Sequence, residues 1–388
     1  MIHYVPFHDA RKWQREGLRT RDAHLCQRLL QRWGSAEIVV LNRPTCVAEA
    51  LKLAWRWRTA GMALQTRHRC QLTVTPGGYR AVDSLLLEAG FSGWSFHAWL
   101  ARAYASNRYR AALTDLLGAS VSQGTLWLCH PFAAGLLRSE RRALVVADLF
   151  DNFVTHPDLG ARACRSAEDG YRVIASRAYR ITVNSLALQS FLWERFRREA
   201  ELVPNGVDRE LFANANPMNL DGAEPPIIGY AGKVGRRLDI DILVALSSAL
   251  AKGTVLIAGP ILNRRWARPA LRLPRVRYVG DLHYRDLPSF VAACHVCIVP
   301  HRVGPGENLG DPTKIYEYLA AGKPVVTTAI EGTGAFAGRV TIARTRETFV
   351  EATLAAARGE AVPRGGVQDD ETWEARARAI CSYFGLSW

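Results

Sequence analysis

Short apolar or β-branched runs alternate with amphipathic stretches along the whole chain. Residues 20–33 place Ala23, Cys26 and Leu29 on one face, which predicts a helix between two strands. The expected strands of the first half are Ile2–Phe7, Glu37–Asn42, Cys70–Thr75, Thr125–His130, Ala143–Leu149 and Arg180–Asn184. Such alternation is typical of parallel sheets that are covered by helices.

The second half repeats this rhythm after a break at residues 213–226, which are rich in Asn, Pro and Ala and show no periodicity. Its expected strands are Ile227–Ala231, Thr254–Ala258, Val276–Val279, His295–Pro300 and Pro324–Thr328. Its expected helices are Leu238–Ala251, Tyr284–Ala293, Pro312–Ala321, Arg346–Arg358 and a last one near Asp370–Phe384.

The pattern predicts an α/β protein with two Rossmann-like, doubly wound parallel-sheet domains that face a cleft. We expect a first domain over 1–210, a linker over 211–226, a second domain over 227–368, and a final helix over 369–388 that packs back on the first domain. Ligands of such domains bind at the carboxyl ends of the strands.

Composition narrows the class of protein. The chain has 388 residues, of which 48% are hydrophobic and 22% charged, which excludes disordered, fibrous and disulfide-scaffold proteins. No run of about 18 apolar residues is present, so we expect no spanning helix, and the N-terminus does not read as a signal peptide. The eight cysteines are scattered, and the pair Cys294 and Cys297 lacks a second ligand pair at zinc-like spacing. We therefore expect no metal and a reducing, cytoplasmic location.

The charge is strongly basic and unevenly spread. The net charge is +14, and residues 1–210 hold 29 basic against 19 acidic residues. A basic half suits nucleic acid, an anionic membrane surface or an anionic substrate. No zinc-finger, KH or RRM signature accompanies it, so we expect no nucleic-acid partner.

The sharpest chemical signal lies in residues 300–328. A Gly-rich loop, Val303–Gly310, precedes Asp311 and Pro312, which suit the N-cap and N1 positions of a helix. The free N–H groups and the dipole of that helix can hold a diphosphate. Lys314 adds a cation in the first turn, and Glu317 can accept hydrogen bonds from both hydroxyls of a ribose.

The string from Pro312 to Val326 resembles the donor-binding segment of GT-B glycosyltransferases of the family-4-like group 1, with the pattern P-x-K-x-x-E-Y-L-A-x-G-K-P-V-V. Residues 203–208, 228–233, 255–260 and 276–281 are similar to other segments of these enzymes. Residues 15–25 and 145–151 are similar to the acceptor side of teichuronic-acid and xanthan-type polysaccharide glycosyltransferases.

The resemblance implies transfer of a sugar from a nucleotide diphosphate, UDP first and GDP next, to an acceptor hydroxyl of a lipid-linked or surface-polysaccharide intermediate. The nucleotide sugar is then a substrate, and neither a cofactor nor a metal is expected. The expected donor-binding residues are Lys233, Tyr284, Arg302, Thr313, Lys314 and Glu317. The expected acceptor-side residues are Arg15, Arg19, His24 and His130.

The general base of an inverting reaction is expected at the end of the strand 143–149, where Asp151 is preferred over Asp148; an N-cap or turn role is the alternative for both. His8, His24 and His130 follow or flank strand ends and are further candidates, with a hydrogen-bonded structural role as the alternative for each. The resemblance does not fix the stereochemistry. Leu309 stands where retaining relatives carry their first Glu, Glu307 is two residues out of register, and Asn152 replaces an acid.

Arg and Trp interleave at residues 53–58 and 94–110. These stretches predict peripheral binding to the inner face of the membrane, or else ordinary helices with Trp in the core. Alternative functions are transfer to a soluble small-molecule acceptor and non-catalytic binding of a nucleotide sugar or a glycan.

Overall fold

The computed structural model describes residues 1–53, 57–87, 95–137, 144–156, 159–304, 310–360, 363 and 365–388. Trp55, Trp94, Glu307 and Leu309 lie outside these residues, so the expectations that concern them stay predictions. The chain divides into two compact units. Unit 1 comprises Met1–Pro204 with Arg376–Trp388, and unit 2 comprises Asn205–Ala375.

Unit 1 is built on a sheet that has ten strands in the part of the chain described, in the order β10-β9-β8-β7-β1-β2-β6-β5-β4, with β3 pairing β6. The strands are β1 (Ile2–Val5), β2 (Ile38–Leu41), β3 (Thr45–Cys46), β4 (Met62–Arg67), β5 (Cys70–Val74), β6 (Arg80–Leu86), β7 (Thr125–Leu128), β8 (Leu144–Leu149), β9 (Arg180–Val183) and β10 (Glu201–Leu202). Parallel pairing of β1 with both β2 and β7 makes the β1/β7 boundary the point where the strand order reverses.

Helices cover this sheet and bury its apolar side chains. They are α1 (Ala10–Glu16), α2 (Arg21–Trp33), α3 (Val47–Lys52), α4 (Phe96–Ala105), α5 (Asn107–Leu117), α6 (Ser120–Gln123), α7 (Ala161–Arg177) and α8 (Leu186–Phe196). Two tryptophans that sequence reasoning considered for a lipid interface, Trp57 and Trp99, are buried. The core interpretation therefore holds for both.

The structure differs from the expected all-parallel sheet at β4, β5 and β6. β5 pairs antiparallel with both neighbours, and β6 returns to parallel pairing with β2. The turn between β5 and β6 contains Pro76, Gly77 and Gly78, residues that favour a tight reversal. Sequence reasoning found β5 but missed its two neighbours.

Unit 2 carries a six-stranded, all-parallel sheet among its described residues, in the order β13-β12-β11-β14-β15-β16. The strands are β11 (Ile227–Ala231), β12 (Thr254–Ala258), β13 (Val276–Gly280), β14 (Val296–Val299), β15 (Val325–Thr328) and β16 (Thr341–Ala343). If the six strands are renumbered 1 to 6 from β11 to β16, their order in the sheet is 3-2-1-4-5-6, the order of the Rossmann fold. This confirms the expected fold class. Its switch point lies between β11 and β14.

The helices of unit 2 are α9 (Arg209–Ala213), α10 (Ile240–Ala249), α11 (Arg264–Ala267), α12 (Leu287–Ala293), α13 (Thr313–Ala320) and α14 (Arg346–Ala357). The last helix, α15 (Trp373–Phe384), begins in unit 2 and ends in unit 1. Ile228, Tyr230, Leu243 and Ile298 belong to the apolar core of this unit.

The expected boundary at residue 210 and the linker over 211–226 differ from this division. Val207 pairs with Thr372, and α9 buries Phe212 as it packs on α12 and α13. These contacts place residues 205–226 in unit 2. The final residues, 376–388, belong to unit 1, where the ring of Phe384 lies 4.9 Å from that of Trp127.

Candidate functional site

The switch point of unit 2 brings together the residues that follow β11 and β14. Gly232 and Lys233 directly follow β11, and His301 comes two residues after β14. Parallel strands end at one edge of a sheet, and the crevice at a switch point is where such folds bind ligands. The first residues of α13 reach the same place, because Lys314 contacts both Gly232 and His301.

Two glycines let the backbone and Lys314 approach each other closely. Gly232 has φ +159°, and a Cβ atom built on it would lie 2.9 Å from Cε and 3.0 Å from Nζ of Lys314. Gly259 has φ +125°, and its Cβ would lie 2.2 Å from the carbonyl oxygen of Gly232. A side chain at either position would therefore displace Lys314 or the loop that it packs on.

A tyrosine and a histidine hold the amine of Lys314. Its Nζ lies 3.2 Å from Nε2 of His301, and 5.2 Å from the centre of the Tyr230 ring. The Tyr230 hydroxyl lies 3.3 Å from the same Nε2 and donates a hydrogen bond to the Lys233 carbonyl, 3.0 Å away. Burial, with the charges of Lys314 and Arg237, lowers the pKa of His301 well below its ordinary value, so the imidazole is neutral at pH 7.

One turn further along α13, the carboxyl of Glu317 is buried. Burial raises the pKa of Glu317 to about 7, against the opposing effects of Lys314 and of a hydrogen bond from the Tyr284 hydroxyl. Burial and the nearby charge of Arg237 lower the pKa of Lys314 to about 7; Glu317 opposes this shift and Lys233 adds to it. The groups that act on Lys314 are thus two cations and one carboxylate, an arrangement that favours an anionic ligand.

The start of α13 differs from the expected cap. Pro312 is the N-cap, the helix begins at Thr313, and the side chain of Asp311 does not cap it. Asp311 instead accepts hydrogen bonds from the backbone N–H of Asn205 and from the hydroxyl of Tyr316, 3.1 Å away. The carboxylate therefore ties the loop to the rest of unit 2, while Thr313 and Lys314 occupy the first turn.

Two expected donor residues have other contacts. The Arg302 guanidinium lies 4.9 Å from the centre of the Trp266 ring and is exposed. Tyr284 is buried with its ring against Phe212, at 6.2 Å between centres, so it offers Glu317 a hydroxyl instead of presenting a ring to a base. Lys233 is exposed beside the group. Arg237, Tyr230 and His301 also belong to the group of side chains around Lys314, and the sequence did not predict them. The position of His301 directly after a buried strand could have indicated its place in the site.

In unit 1 the expected base Asp148 is inaccessible. It is fully buried within β8, and its two oxygens accept hydrogen bonds from Nε and Nη2 of Arg21 at 2.9 and 2.8 Å. The Thr182 hydroxyl donates a third at 2.7 Å. A carboxylate enclosed in this way cannot reach an acceptor hydroxyl, so the expectation of a catalytic Asp148 is wrong, and the pair joins α2 to the sheet.

Asp151 differs from Asp148 in being partly exposed and in having φ +62°. A non-glycine residue in this left-handed region is held by its surroundings, and such strain clusters at functional sites. Here the Tyr171 hydroxyl donates to the Asp151 carbonyl at 2.8 Å. Tyr171 lies on α7, whose N-cap residue is Gly160.

The expected acceptor-side residues are dispersed. Arg15 and Arg19 both lie near Glu16, with nitrogen to oxygen distances of 3.0 and 3.7 Å. His24 and His130 are buried, and desolvation lowers the pKa of each to about 3. Because the interior encloses their rings, both are core histidines and the expectation that they contact an acceptor is wrong.

His8 differs from the two core histidines, because its ring is partly exposed. His8, near the end of β1, donates its backbone N–H to the Asp22 carboxylate at 2.8 Å, and its Nδ1 lies 3.8 Å from the other oxygen. Burial alone would raise the pKa of Asp22, but hydrogen bonds from His8 and Thr20 lower it. The ring is partly exposed, so His8 is a second candidate for a base at the strand ends of unit 1.

Among the described residues, no group of three His, Cys, Asp or Glu side chains is arranged to hold a metal ion. The positive charge at the unit 2 site comes from side chains and from the start of α13.

Two doubly wound units, with cations gathered at the switch point of unit 2, are the arrangement expected of the GT-B fold. Residues 225–358, about a third of the chain, match the family described as Glycosyl transferases group 1, which confirms the resemblance for this region. The chain is similar to the putative teichuronic acid biosynthesis glycosyltransferase TuaH of Bacillus subtilis (strain 168), with 30% identity over 169 residues. That alignment covers 41% of this chain and 43% of the relative, so it spans less than half of either.

Solved structures match nearly the whole chain, and two of them serve as examples. Sucrose-phosphate synthase from Thermosynechococcus elongatus superposes with a TM-score of 0.63 at 15% identity, over 99% of this chain and 94% of that one. Anabaena Alr3699/HepE, in complex with UDP and glucose, gives a TM-score of 0.58 at 15% identity, over 98% and 94%. At this identity the two matches establish the GT-B fold.

Proposed function

We propose that this protein is a glycosyltransferase that moves a sugar from a nucleotide diphosphate to an acceptor hydroxyl. UDP is the favoured nucleotide and GDP the next. The family match over residues 225–358 and the name of the Bacillus relative support the reaction class, and the UDP complex of the Anabaena neighbour supports the nucleotide.

The observation that carries the proposal is the buried carboxyl of Glu317 one turn inside a helix whose first turn presents Lys314. The N–H groups at the start of α13 and the Lys314 amine suit a diphosphate, while Glu317 suits the two hydroxyls of a ribose. Lys314 and Glu317 are three residues apart on α13, so about one helical turn, roughly 5 Å along the axis, separates the two proposed contacts.

During transfer the bond between the sugar and the diphosphate breaks, and the leaving diphosphate keeps the electron pair. Lys233, Arg237 and Lys314 would stabilise the negative charge that develops, as preorganised cations do in other transferases. We therefore propose that no metal ion is needed. The acceptor hydroxyl forms the new bond and loses its proton.

If the reaction inverts the sugar, a base must accept that proton. Asp151 is our first candidate, because it is partly exposed and held in a strained conformation after β8. His8, paired with Asp22, is the second. A retaining reaction needs no such base, so variants at these positions also bear on the stereochemistry.

For the acceptor we propose a lipid-linked or surface-polysaccharide intermediate, which the name of the teichuronic acid relative supports. We further propose that unit 1, the more basic half of the sequence, binds the anionic inner face of the membrane. In the described residues no helix is both long enough and apolar enough to cross a bilayer. Binding to anionic vesicles should weaken as salt rises; no binding even at low salt would favour a soluble acceptor.

The first experiment is a thermal-shift panel of UDP-, GDP-, dTDP- and ADP-sugars, since a ligand that binds the native state raises the unfolding midpoint. Turnover of the sugar that binds then separates an enzyme from a protein that only binds nucleotide sugars. Binding of oligonucleotides at about 150 mM salt, with no response to any nucleotide sugar, would contradict the proposal.

A further inference from the structure

The amine of Lys314 has an unusual set of neighbours for a lysine in a ligand site. It is partly buried, it touches the face of the Tyr230 ring, and its hydrogen-bond partner is the imidazole nitrogen of His301. A free ammonium in water has solvent around all three donors. Here solvent is replaced by a ring face, a glycine backbone and one neutral histidine.

We propose that His301 is a positioning residue of the donor site, and that it holds Lys314 so that this amine takes up a proton when a nucleotide diphosphate binds. The inference rests on the proposed function and assigns a chemical role to His301. The proton comes from solvent, and the two negative charges of the diphosphate stabilise it on Nζ.

The contact between Lys314 and His301 can persist in both protonation states. When Lys314 is an ammonium, it donates to an unprotonated Nε2 and the imidazole proton is on Nδ1. When Lys314 is a neutral amine, Nε2–H of the other tautomer donates to the Nζ lone pair. The imidazole therefore keeps Nζ in place while the charge of the lysine changes.

The charged and titratable groups around Lys314 determine the direction of the change. Tyr230 lies on β11, Lys233 and Arg237 follow that strand, and His301 follows β14. Glu317 lies on α13, and Tyr284, which acts on Glu317, lies in the turn before α12. Burial and the two cations favour the neutral amine in the empty site, and its pKa of about 7 agrees with this. A bound diphosphate reverses the balance.

Glu317 contributes a proton change of the opposite sign. Its pKa of about 7 means that it is largely protonated in mild acid, and ribose hydroxyls that donate to the carboxylate favour its ionised form, so binding below pH 7 releases a proton from Glu317. The affinity for a nucleotide sugar should therefore be highest near neutral pH. It should fall as pH rises through the pKa of Lys314 in the empty site, by up to about tenfold per pH unit.

Calorimetry between pH 6 and 8.5, in pairs of buffers with different ionisation enthalpies, measures both the affinity and the protons taken up. UDP-glucose is the first probe, and the member of the four-sugar panel that binds replaces it if needed. The diphosphate of a nucleotide sugar has no group that titrates near neutral pH, so the uptake belongs to the protein. We expect a net release at pH 6, which comes from Glu317, and a net uptake by Lys314 that rises toward one proton at pH 8.5.

Three variants and a control test the assignment. Lys314→Arg keeps a permanent cation, so above neutral pH its binding should be independent of pH, with no uptake. His301→Leu removes the partner of the ammonium and should shift uptake to lower pH, with about tenfold weaker binding at pH 7. His301→Gln restores an acceptor and should recover most of that loss. Lys323→Arg, whose native lysine donates to the Ala292 carbonyl, should behave as wild type.

The failures are distinguishable. Binding of none of the four nucleotide sugars overturns the proposed function. Binding whose affinity and proton count do not change between pH 6.5 and 8.5 overturns the inference alone. A Lys314→Arg variant that keeps the wild-type slope shows that another group takes up the proton, and equal behaviour of His301→Leu and His301→Gln removes the positioning role.

Discussion

The two units place different chemistry at the same topological position. In unit 2 the residues after the strands at the switch point are glycines, a lysine and a histidine, and they leave charged groups near the surface. In unit 1 the corresponding strands, β1 and β7, lead to Phe7 and His130, whose rings lie 5.5 Å apart. The enclosed pair of Arg21 and Asp148 joins α2 to β8, the strand beside β7.

This difference shows that a switch point alone does not predict a charged site. Unit 1 uses its ion pair to join a helix to a sheet, because both partners are buried and satisfied. Unit 2 instead concentrates cations around Lys314 with one carboxylate among the groups that act on it. The first arrangement is costly to break by removing one partner, and the second suits an anionic ligand.

The largest expected effect concerns the group of unit 1 that remains accessible. Asp151→Asn should keep nucleotide-sugar binding but reduce transfer by ~10²–10⁴, the usual contribution of a positioned general base. Steady-state transfer and calorimetry measure the two quantities, and Asp169→Asn, at an exposed position of α7, is the matched control. If Asp151→Asn kept full activity, His8 would become the candidate base, or the reaction would be a retaining one.

The next effect should be on stability. Asp148→Asn leaves the Arg21 charge buried without its carboxylate, so the free energy of unfolding should fall by about 3–5 kcal/mol. Urea denaturation measures it, again with Asp169→Asn as the control. A loss below about 1 kcal/mol would mean that the pair does not hold unit 1 together and would weaken the contrast between the units.

Acid should act on unit 1 through its core histidines. His24 and His130 have pKa values of about 3 in the folded chain against about 6.5 when unfolded, so between these values the unfolded state binds protons that the native state does not. The free energy of unfolding should therefore fall as pH drops below 6.5, by up to about 1.4 kcal/mol per pH unit for each histidine.

Urea denaturation at pH 7, 6 and 5 measures this slope. His24→Leu should reduce it, whereas His68→Leu, at an exposed position, should leave it unchanged. Equal slopes in all three proteins would show that other groups set the acid limit.

A smaller effect is expected at the donor site. Glu317→Ala should weaken nucleotide-sugar binding at least tenfold, since a pair of hydrogen bonds to a charged group is worth ~1.5–3 kcal/mol. Calorimetry measures the affinity, and the exposed Glu351→Ala on α14 is the control. Unchanged affinity would remove Glu317 from the site and, with it, the chemical contrast between the two switch points.

The smallest effect should come from chelation. Transfer should be the same with and without excess EDTA, because the cations of unit 2 supply the positive charge that a metal would provide. Loss of activity that magnesium or manganese restores would show that the side chains are insufficient.

The alternation of strands and helices was enough to predict the fold class of unit 2, five of its six described strands, and the position of Glu317 and Lys314 on one helix; the short edge strand β16 was missed. The antiparallel β4 and β6 were missed because neither alternates as a half-buried strand should: β4 is almost entirely exposed, while β6 is almost entirely buried.

Site residues were predicted less well, and burial explains most of the errors. The sequence around a carboxylate or a histidine near the end of a strand does not show whether the side chain faces solvent or the interior. Asp148, His24 and His130 face the interior. His301 was overlooked because its role depends on Lys314, thirteen positions away, and that contact forms only in the folded unit.

Unit 1 is interrupted in sequence, whereas unit 2 is continuous, and this has a consequence for folding during synthesis. Trp127 packs against Phe384, and the Trp33 indole donates to the Ser387 carbonyl at 3.0 Å, so unit 1 needs residues that leave the ribosome after the whole of unit 2. Unit 2 can fold first, because Asn205–Ala375 emerge before residues 376–388. Until residues 376–388 arrive, nascent unit 1 lacks the cover over Trp127, and chaperones that bind exposed aromatic surface should recognise it at that stage.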